Sequence, residues 1–326
     1  MAKPVADTVS PAENAAGFVS DDNPISGFSH MHDSGTGGNP SMGNFPLFVH
    51  PGCPEDNFKK CSYMVYNRPV KRVPGSAYAS VGYFSINLTN SVRAEMTATE
   101  HTALYRFSFP GTDTVKIPDD GDAPAGKSNT AVPYSPLVML DLIDLANTRS
   151  VGGIEVYEDG RIIGEGQYAP SFGSGNYRAF FCADFQGANI RKTGIFTGDE
   201  AKEEPKFLDS SEDGVYIPSG SAGAWIQFER PPTDSLMARV GLSFMSVDQA
   251  CENAESEIPD FDFTKVEKRA QGIWRDKLSV IQVDPTGVSE ELQTTFWSGL
   301  YRTMLSPQNY TGENPLWNST EPYFDS

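Results

Sequence analysis

The amino-acid sequence predicts a mostly β protein, in which a large antiparallel β-sandwich is followed by a short helical region. Up to residue 247, apolar residues recur at every second position in short runs separated by Gly, Pro, Asn and Asp. This is the pattern of half-buried strands joined by turns. Beyond residue 247 the apolar spacing changes to three and four, which is typical of amphipathic helices. Regularly spaced strands form a sandwich or a barrel, and we favour a sandwich of about 12 to 16 strands.

The strand predictions follow the alternating runs along the chain. The clearest run is 177–185, where Tyr, Ala, Phe, Ala and Phe occupy every second position. Residues 137–145 are strongly apolar, as expected of a central strand with both faces covered. A hairpin turn is predicted at 158–160, and a surface loop over 113–135, which is rich in Pro, Gly and Asp. Further strands are predicted around 84–88, 92–96, 105–109, 154–156, 224–228 and 238–244.

Three helices are predicted after the sandwich. Asp248 can cap a short first helix, and the spacing from Phe263 to Leu278 predicts a second. A third begins near Ser289 and stops before Pro307. Its apolar stripe consists of Leu292, Phe296, Leu300 and Met304.

These signals divide the chain into a sandwich over 1–247, a helical linker over 248–285 and a last helical segment over 286–326. An amphipathic helix buries its stripe against a neighbour. No helical partner for the last stripe follows in the sequence, so we expect part of it to lie uncovered.

Composition excludes two classes of partner. The chain carries 43 acidic and 25 basic residues, for a net charge of −18. Nucleic acids and anionic membrane surfaces are bound through Lys and Arg, so neither is expected here. No stretch reaches the roughly 18 apolar residues of a membrane-spanning helix. A neutral ligand such as a sugar is compatible with this charge.

Signals for the cellular compartment conflict. The segment after Met1 has no apolar core of a signal peptide, which indicates the cytosol if Met1 is the true start. N-glycosylation sequons at Asn87, Asn309 and Asn318 favour the secretory route instead.

The four cysteines also suit an oxidising compartment. Of the three possible pairings we favour Cys53–Cys61 with Cys182–Cys251. Four free thiols, with Cys182 in a core strand, remain the alternative, because buried free cysteine is common.

The segment 27–38, GFSHMHDSGTGG, concentrates polar side chains and glycines on a flexible backbone. It lacks the lysine of a phosphate-binding loop. Three interpretations stay open: a turn beside structural histidines, a metal site with two imidazoles on one strand face, and a polar wall of a ligand pocket. We favour the ligand pocket. The candidate contacts are His30, His32, Asp33, Ser34 and Gly35.

This segment also resembles a known family. Together with MTATEHTALYRFSFP (96–110), ARVGLSFMS (238–246) and FWSGLYRTMLSPQNYTGENPLW (296–317), it is similar to the fungal branch of glycoside hydrolase family 92. The motifs occur in the same order along the whole chain. The resemblance implies a calcium-dependent, inverting exo-α-mannosidase that trims mannose from N-glycans.

The resemblance also implies where the chemistry lies. In that family the acid Glu, the base Asp and the calcium ligands belong to a C-terminal (α/α)6 barrel, and the helix after Ser289 resembles its first helix. We therefore expect no catalytic residue and no bound calcium in this chain, which would be a fragment of a longer secreted protein. The missing barrel would be its partner.

Within that family the sandwich loops close one side of the mannose subsite, at the interface with the barrel. The resemblance places the 30–38 segment there, with Trp317 as a second sugar contact or, equally, an interdomain packing residue. His101 is interpreted as structural. Glu95 and Glu100, which flank it, are assigned to a solvated strand face.

The sequence thus predicts the substrate-pocket domain of an exo-α-mannosidase for mannose-containing glycans, inactive by itself. The alternative is a free-standing carbohydrate-binding sandwich without a catalytic role. A third hypothesis is a metal hydrolase built on His30, His32 and Asp33.

Overall fold

The computed structural model describes residues 2–9, 17–20, 22–32, 42–116, 131–170, 174–209 and 220–304. These residues form 18 strands and three α-helices. The strands are β1 (Val5–Thr8), β2 (Ile25–His30), β3 (Asn44–His50), β4 (Tyr78–Ser80), β5 (Tyr83–Asn87), β6 (Arg93–Ala98), β7 (Thr102–Ser108), β8 (Thr114–Lys116), β9 (Ala131–Pro133), β10 (Leu137–Asp141), β11 (Val151–Val156), β12 (Ile162–Tyr168), β13 (Tyr177–Gln186), β14 (Ile190–Thr197), β15 (Glu200–Lys202), β16 (Phe207–Asp209), β17 (Ala222–Phe228) and β18 (Ser235–Ser243). The helices are α1 (Val247–Glu257), α2 (Phe263–Leu278) and α3 (Glu290–Thr303).

The strands form two large antiparallel sheets. The seven-stranded sheet has the order β1-β2-β3-β10-β17-β14-β15, and the nine-stranded sheet has the order β16-β11-β12-β13-β18-β7-β6-β5-β4. A separate ribbon pairs β8 with β9. Many strands that pair in a sheet are distant in the sequence, as with β10 and β17. Each sheet is therefore held together by hydrogen bonds between distant parts of the chain.

The two sheets pack face to face around one large apolar core. Phe45 on the smaller sheet meets Phe181 on the larger with ring centroids 4.6 Å apart, and Phe28 meets Phe107 at 5.6 Å. All four side chains are buried. Aromatic pairs of this kind add to the free energy of apolar burial. The predicted β-sandwich is therefore confirmed.

The second face of the smaller sheet is covered by the segment 53–63. Phe58 stacks on Trp225 at 4.4 Å, and Tyr63 packs on Phe196 at 5.0 Å. Because of this cover, every residue of β3, β10 and β17 is buried. The Cys53–Cys61 disulfide, one of the two predicted, closes this segment.

The second face of the larger sheet is covered by α1 and α2. Leu104 of β7 joins a buried cluster with Phe263 and Val266 of α2. The second predicted disulfide ties Cys251 of α1 to Cys182 of β13. Gly241 of β18 permits the close approach of α1, since a Cβ there would lie 2.1 Å from the carbonyl oxygen of Ala250.

Most predicted strands are found, but three predictions need correction. The segment 113–135 was predicted as a loop, yet it contains β8 and β9, because Val115 and Val132 pair and both enter the core. The N-cap of α1 is Ser246 and not Asp248, since the Ser246 hydroxyl accepts from the amide of Gln249. The described residues also hold more strands than the 12 to 16 predicted.

Helix α3 begins at the predicted cap. Ser289 accepts from the amide of Leu292 at 3.3 Å. None of its residues is buried, and Leu292 and Phe296 are 61% and 43% exposed. Its stripe therefore presents apolar surface to solvent in the described structure, which is unusual for an amphipathic helix.

We predict that removing the two disulfides costs unequal amounts of stability. The Cys182–Cys251 bond spans 69 residues and the Cys53–Cys61 bond spans 8. In the chain-entropy account these loops correspond to about 4 and about 2.5 kcal/mol. The paired variants Cys182→Ala/Cys251→Ala and Cys53→Ala/Cys61→Ala should show this order in urea unfolding. Equal losses, or the reverse order, would contradict the entropic explanation.

We also predict that the 326-residue chain self-associates through α3. Replacing Leu292 and Phe296 together by Gln should lower the association seen in sedimentation, since it removes the exposed apolar surface. Glu291→Gln on the same helix is the matched control and should leave association unchanged. A monomeric parent chain would show that the stripe is covered within the molecule.

Candidate functional site

The segment 27–38 begins within β2 and continues past its end. His30 is the last residue of β2, and the chain returns at Gly43, just before β3. Residues 33–41 lie outside the described part of the chain. The predicted contacts Asp33, Ser34, Gly35 and Trp317 therefore fall outside it, as do the sequons at Asn309 and Asn318. Asn87 is described and ends β5 with partial exposure.

His30 is fully buried and held as a neutral ring. Its Nδ1 donates to the carbonyl oxygen of Phe45 at 3.1 Å, and its Nε2 accepts from the Tyr105 hydroxyl at 2.8 Å. Burial lowers the pKa of His30 to about 4, because a charged ring would lose its hydration. Burial also raises the pKa of Tyr105, so this hydroxyl keeps its proton and remains a donor.

His32 is buried as well and joins two strands. Its Nε2 lies 2.6 Å from the Ser29 hydroxyl and 3.3 Å from a carboxylate oxygen of Asp7 in β1. Gly43 packs against it with a φ of +62°, and a Cβ there would lie 2.5 Å from Leu145 and 2.9 Å from the His32 ring. Glycine is therefore required at 43 by both conformation and space.

The structure does not place the two histidines as direct sugar contacts. Both rings have no exposed surface, and the nitrogens of His30 and Nε2 of His32 contact protein groups. Both residues therefore belong to the buried structure at the end of β2. Sugar contact by Asp33, Ser34, Gly35 and Trp317 stays a prediction.

The metal interpretation also needs a third ligand. Among the described residues, no group of three or more His, Cys, Asp or Glu side chains is arranged to hold a metal ion. His30 uses both ring nitrogens and His32 uses Nε2 in the contacts above, and Asp33 lies outside these residues. The described donors fit neither the histidine-based site nor a calcium site, which needs several oxygen ligands.

Two buried aspartates near this end of the sandwich were missed by the sequence reasoning. Asp141, the last residue of β10, pairs with Arg68 at 2.7 Å, and both side chains are fully buried. Asp144 accepts from the Thr148 amide and hydroxyl, both at 2.6 Å. Burial raises the pKa of Asp144, although the bonds from Thr148 oppose the shift. The sequence does contain a sign of these buried aspartates, because both interrupt the apolar run LVMLDLID.

His101 is structural, as expected, and it contacts α1. Its Nδ1 lies 2.6 Å from the carboxylate of Glu257, which also accepts from its amide. Burial alone would raise the pKa of Glu257, but the hydrogen bonds from His101 and Thr99 outweigh it and lower this pKa. The assignment of Glu95 to a solvated face was wrong, because it is buried and forms two hydrogen bonds with Arg106.

The described residues form a mostly β sandwich followed by helices. Comparison with protein families places this architecture among the glycosyl hydrolases. Residues 1–243 match the glycosyl hydrolase family 92 N-terminal domain, and residues 249–326 match the glycosyl hydrolase family 92 catalytic domain. The chain belongs to glycosyl hydrolase family 92.

A curated relative from Arthroderma benhamiae, described as an uncharacterized secreted glycosidase, is 46% identical over 332 residues. The alignment covers 100% of this chain and 41% of that protein, so the chain spans less than half of its relative. No described helix is long and apolar enough to cross a membrane.

Solved structures of the family share the fold. The family 92 glycosyl hydrolase ccman5 superposes with a TM-score of 0.72 at 21% identity, over 95% of this chain and 38% of that one. An inverting mannosidase from Bacteroides thetaiotaomicron gives 0.70 at 20% identity, over 94% and 36%.

We predict that His30 makes the protein less stable in mild acid. Its pKa is about 4 when folded and 6.5 in the reference state, so the unfolded chain binds more protons between these values. The stability it contributes is present above pH 6.5 and falls by about 3 kcal/mol as the pH drops to 4. Urea unfolding across this range measures the effect.

The variant His30→Gln is the comparison. It should be less stable at neutral pH, yet lose less stability than the parent between pH 6.5 and 4. Parallel pH profiles for the two proteins would contradict the neutral, buried state of His30.

Proposed function

We propose that the protein containing this chain is a secreted exo-α-mannosidase that acts on mannose-containing glycans such as N-glycans and mannan. The observation that carries the proposal is the match of both family 92 domains, in order, across the chain. A relative described as secreted and a structural neighbour described as an inverting mannosidase support it.

Within that protein this chain would position substrate and leave the chemistry to residues of the catalytic domain. An inverting glycosidase needs a carboxylic acid and a carboxylate base about 6.5–9.5 Å apart, with a water between. The carboxylates described around the glycine-rich loop already have protein partners: Asp7 has His32, Asp141 has Arg68, and Asp144 has Thr148. None of these three is free to exchange protons with a substrate without breaking a buried contact.

The contribution of the sandwich is to fix the residues on either side of the 33–41 segment. One end of the 33–41 segment is fixed by buried His30 and His32, and the other by Gly43, which fits between His32 and Leu145. Fixing both ends of a segment limits the conformations that it can adopt, so less conformational entropy is lost when it binds a substrate. Its glycines would let a sugar ring approach the backbone closely.

Calcium dependence and inversion are part of the proposal for the whole protein. Calcium takes six to eight oxygen ligands, and it would be held outside the residues described here. Calcium, when bound, would supply a positively charged template for sugar hydroxyls. This chain would contribute the 33–41 segment.

The test compares the whole protein with the 326-residue chain on an aryl α-mannoside. The whole protein should hydrolyse it, lose activity in a chelator and release the sugar first as the β-anomer, which NMR detects. The chain alone should give no turnover above the rate without enzyme, since a catalytic pair accelerates such reactions by many orders of magnitude.

Release of the α-anomer would overturn inversion, and activity that survives the chelator would overturn the calcium requirement. Turnover by the chain alone would show that its own carboxylates complete a catalytic pair.

A further inference from the structure

The glycosylation sequon at Asn87 lies at the end of β5, within the described structure. Its neighbours in the chain, Ile86 and Leu88, are buried in the core between the two sheets. Because successive side chains of a strand point to opposite faces, that of Asn87 points to the outer face of the larger sheet. The cross-strand partner Arg93 lies on the same face, since its guanidinium contacts the Tyr83 hydroxyl there.

The surroundings of Asn87 leave room for a covalent addition to its side chain. Its hydrogen bonds with described residues come from the backbone: the carbonyl oxygen accepts from Val73 and Ser76, and the amide nitrogen donates to the Ser76 hydroxyl. Helix α2 crosses the sheet at the other end of β5, where a Cβ on Gly82 would lie 2.8 Å from Ala270. Asn87 is about 17 Å further along an extended strand, so a glycan attached to it would clear the helix.

An exposed aromatic ring lies beside Asn87 on the same face. In the register of β4 with β5, Tyr78 is opposite Ser85, which makes Asn87 its diagonal neighbour at about 7–8 Å. The Tyr78 ring centroid is 6.1 Å from that of Tyr83, which in turn packs on Phe263 of α2, so the ring is on the outer face. Tyr78 is 60% exposed. A sugar ring attached to Asn87 could pack its apolar face on this ring and remove apolar surface from water.

This position is far from the end of the sandwich where the segment 27–38 leaves β2. Through β6 and β7, Asn87 lies in one row with Ser108 and Ser235, at the start of β18. Strand β13 begins at the opposite end of the same sheet, where the Tyr177 hydroxyl bonds to the side chain of Asn44. Asn44 pairs with the last residue of β2. A glycan on Asn87 would therefore leave that end uncovered.

We propose that Asn87 is an N-glycosylation site and that the first N-acetylglucosamine packs on Tyr78. Passage through the secretory route, which the modification needs, rests on the proposed function, whereas the position of Asn87 beside Tyr78 does not. In the transfer, Nδ2 of Asn87 forms a bond to C1 of N-acetylglucosamine in a lipid-linked oligosaccharide diphosphate. The bond between C1 and the diphosphate breaks, the lipid diphosphate leaves with its electron pair, and Nδ2 releases one proton.

The first measurement is occupancy. The 326-residue chain is secreted from yeast behind a signal peptide, and endoglycosidase H then trims each glycan to a single N-acetylglucosamine. Peptide mapping by mass spectrometry should find this sugar on Asn87 in most molecules. Thr89→Ala should abolish it and Thr89→Ser should retain it, because the sequon requires a hydroxyl at this position.

The second measurement is the stability that the remaining sugar adds. The trimmed parent chain should melt about 2 °C or more above Asn87→Gln, because the sugar covers the Tyr78 ring. In a double-mutant cycle, Tyr78→Ala should reduce this difference by about half or more, with occupancy unchanged. Tyr157→Ala is the matched control and should keep the full difference. It removes a tyrosine that is 40% exposed on the same sheet, and β13, β18, β7 and β6 separate it from β5.

An unmodified Asn87 in the secreted chain would overturn the site, and an unchanged melting difference in Tyr78→Ala would overturn the packing. The same mapping on the whole secreted protein separates this inference from the proposed function. If that protein hydrolyses mannosides while Asn87 is unmodified, the site is wrong and the proposed function stands. An occupied Asn87 on a protein that hydrolyses no mannoside gives the opposite result.

Discussion

The buried ion pair between Arg68 and Asp141 is the contact on which this end of the molecule depends. Removing two charges from water is costly, and the cost is offset only when each charge has good partners. Here Arg68 reaches Asp141 and two carbonyl oxygens, while Asp141 also accepts from the amides of Ile143 and Ala222. The pair thereby fixes the 64–68 turn, the start of β2 and the meeting of β10 with β17. Loss of either partner would leave an unpaired buried charge at this end of the sandwich.

A second constraint acts on the neighbouring histidines. The interior between the two sheets is apolar, so a polar ring is tolerated there only when its nitrogens are hydrogen-bonded. Tyr105 from the larger sheet and the carbonyl of Phe45 from the smaller one satisfy His30. The ring therefore joins the two sheets at the end of β2. Sites that bind ligands commonly lie on segments that a rigid scaffold positions, and His30 makes the end of β2 part of that scaffold.

The sequence predicted the architecture well because periodicity reports which face of a strand is buried. The run at 177–185 became β13, and the spacing from Phe263 to Leu278 became α2. It predicted the site less well, because the residue types that bind sugars also satisfy buried polar groups. Only the fold shows that His30 and His32 point into the protein. Arg68 and Asp141 are 73 residues apart, and no local pattern brings them together.

The disulfide between Cys182 and Cys251 has a consequence for how the protein withstands damage. The bond encloses the second half of β13, all of β14 to β18 and the start of α1 in one covalent ring. A protease that cuts a single peptide bond anywhere inside this ring opens it without separating the two halves of the chain. The helical segment then stays covalently attached to the sandwich. A single proteolytic cut within the ring therefore does not release any part of the chain.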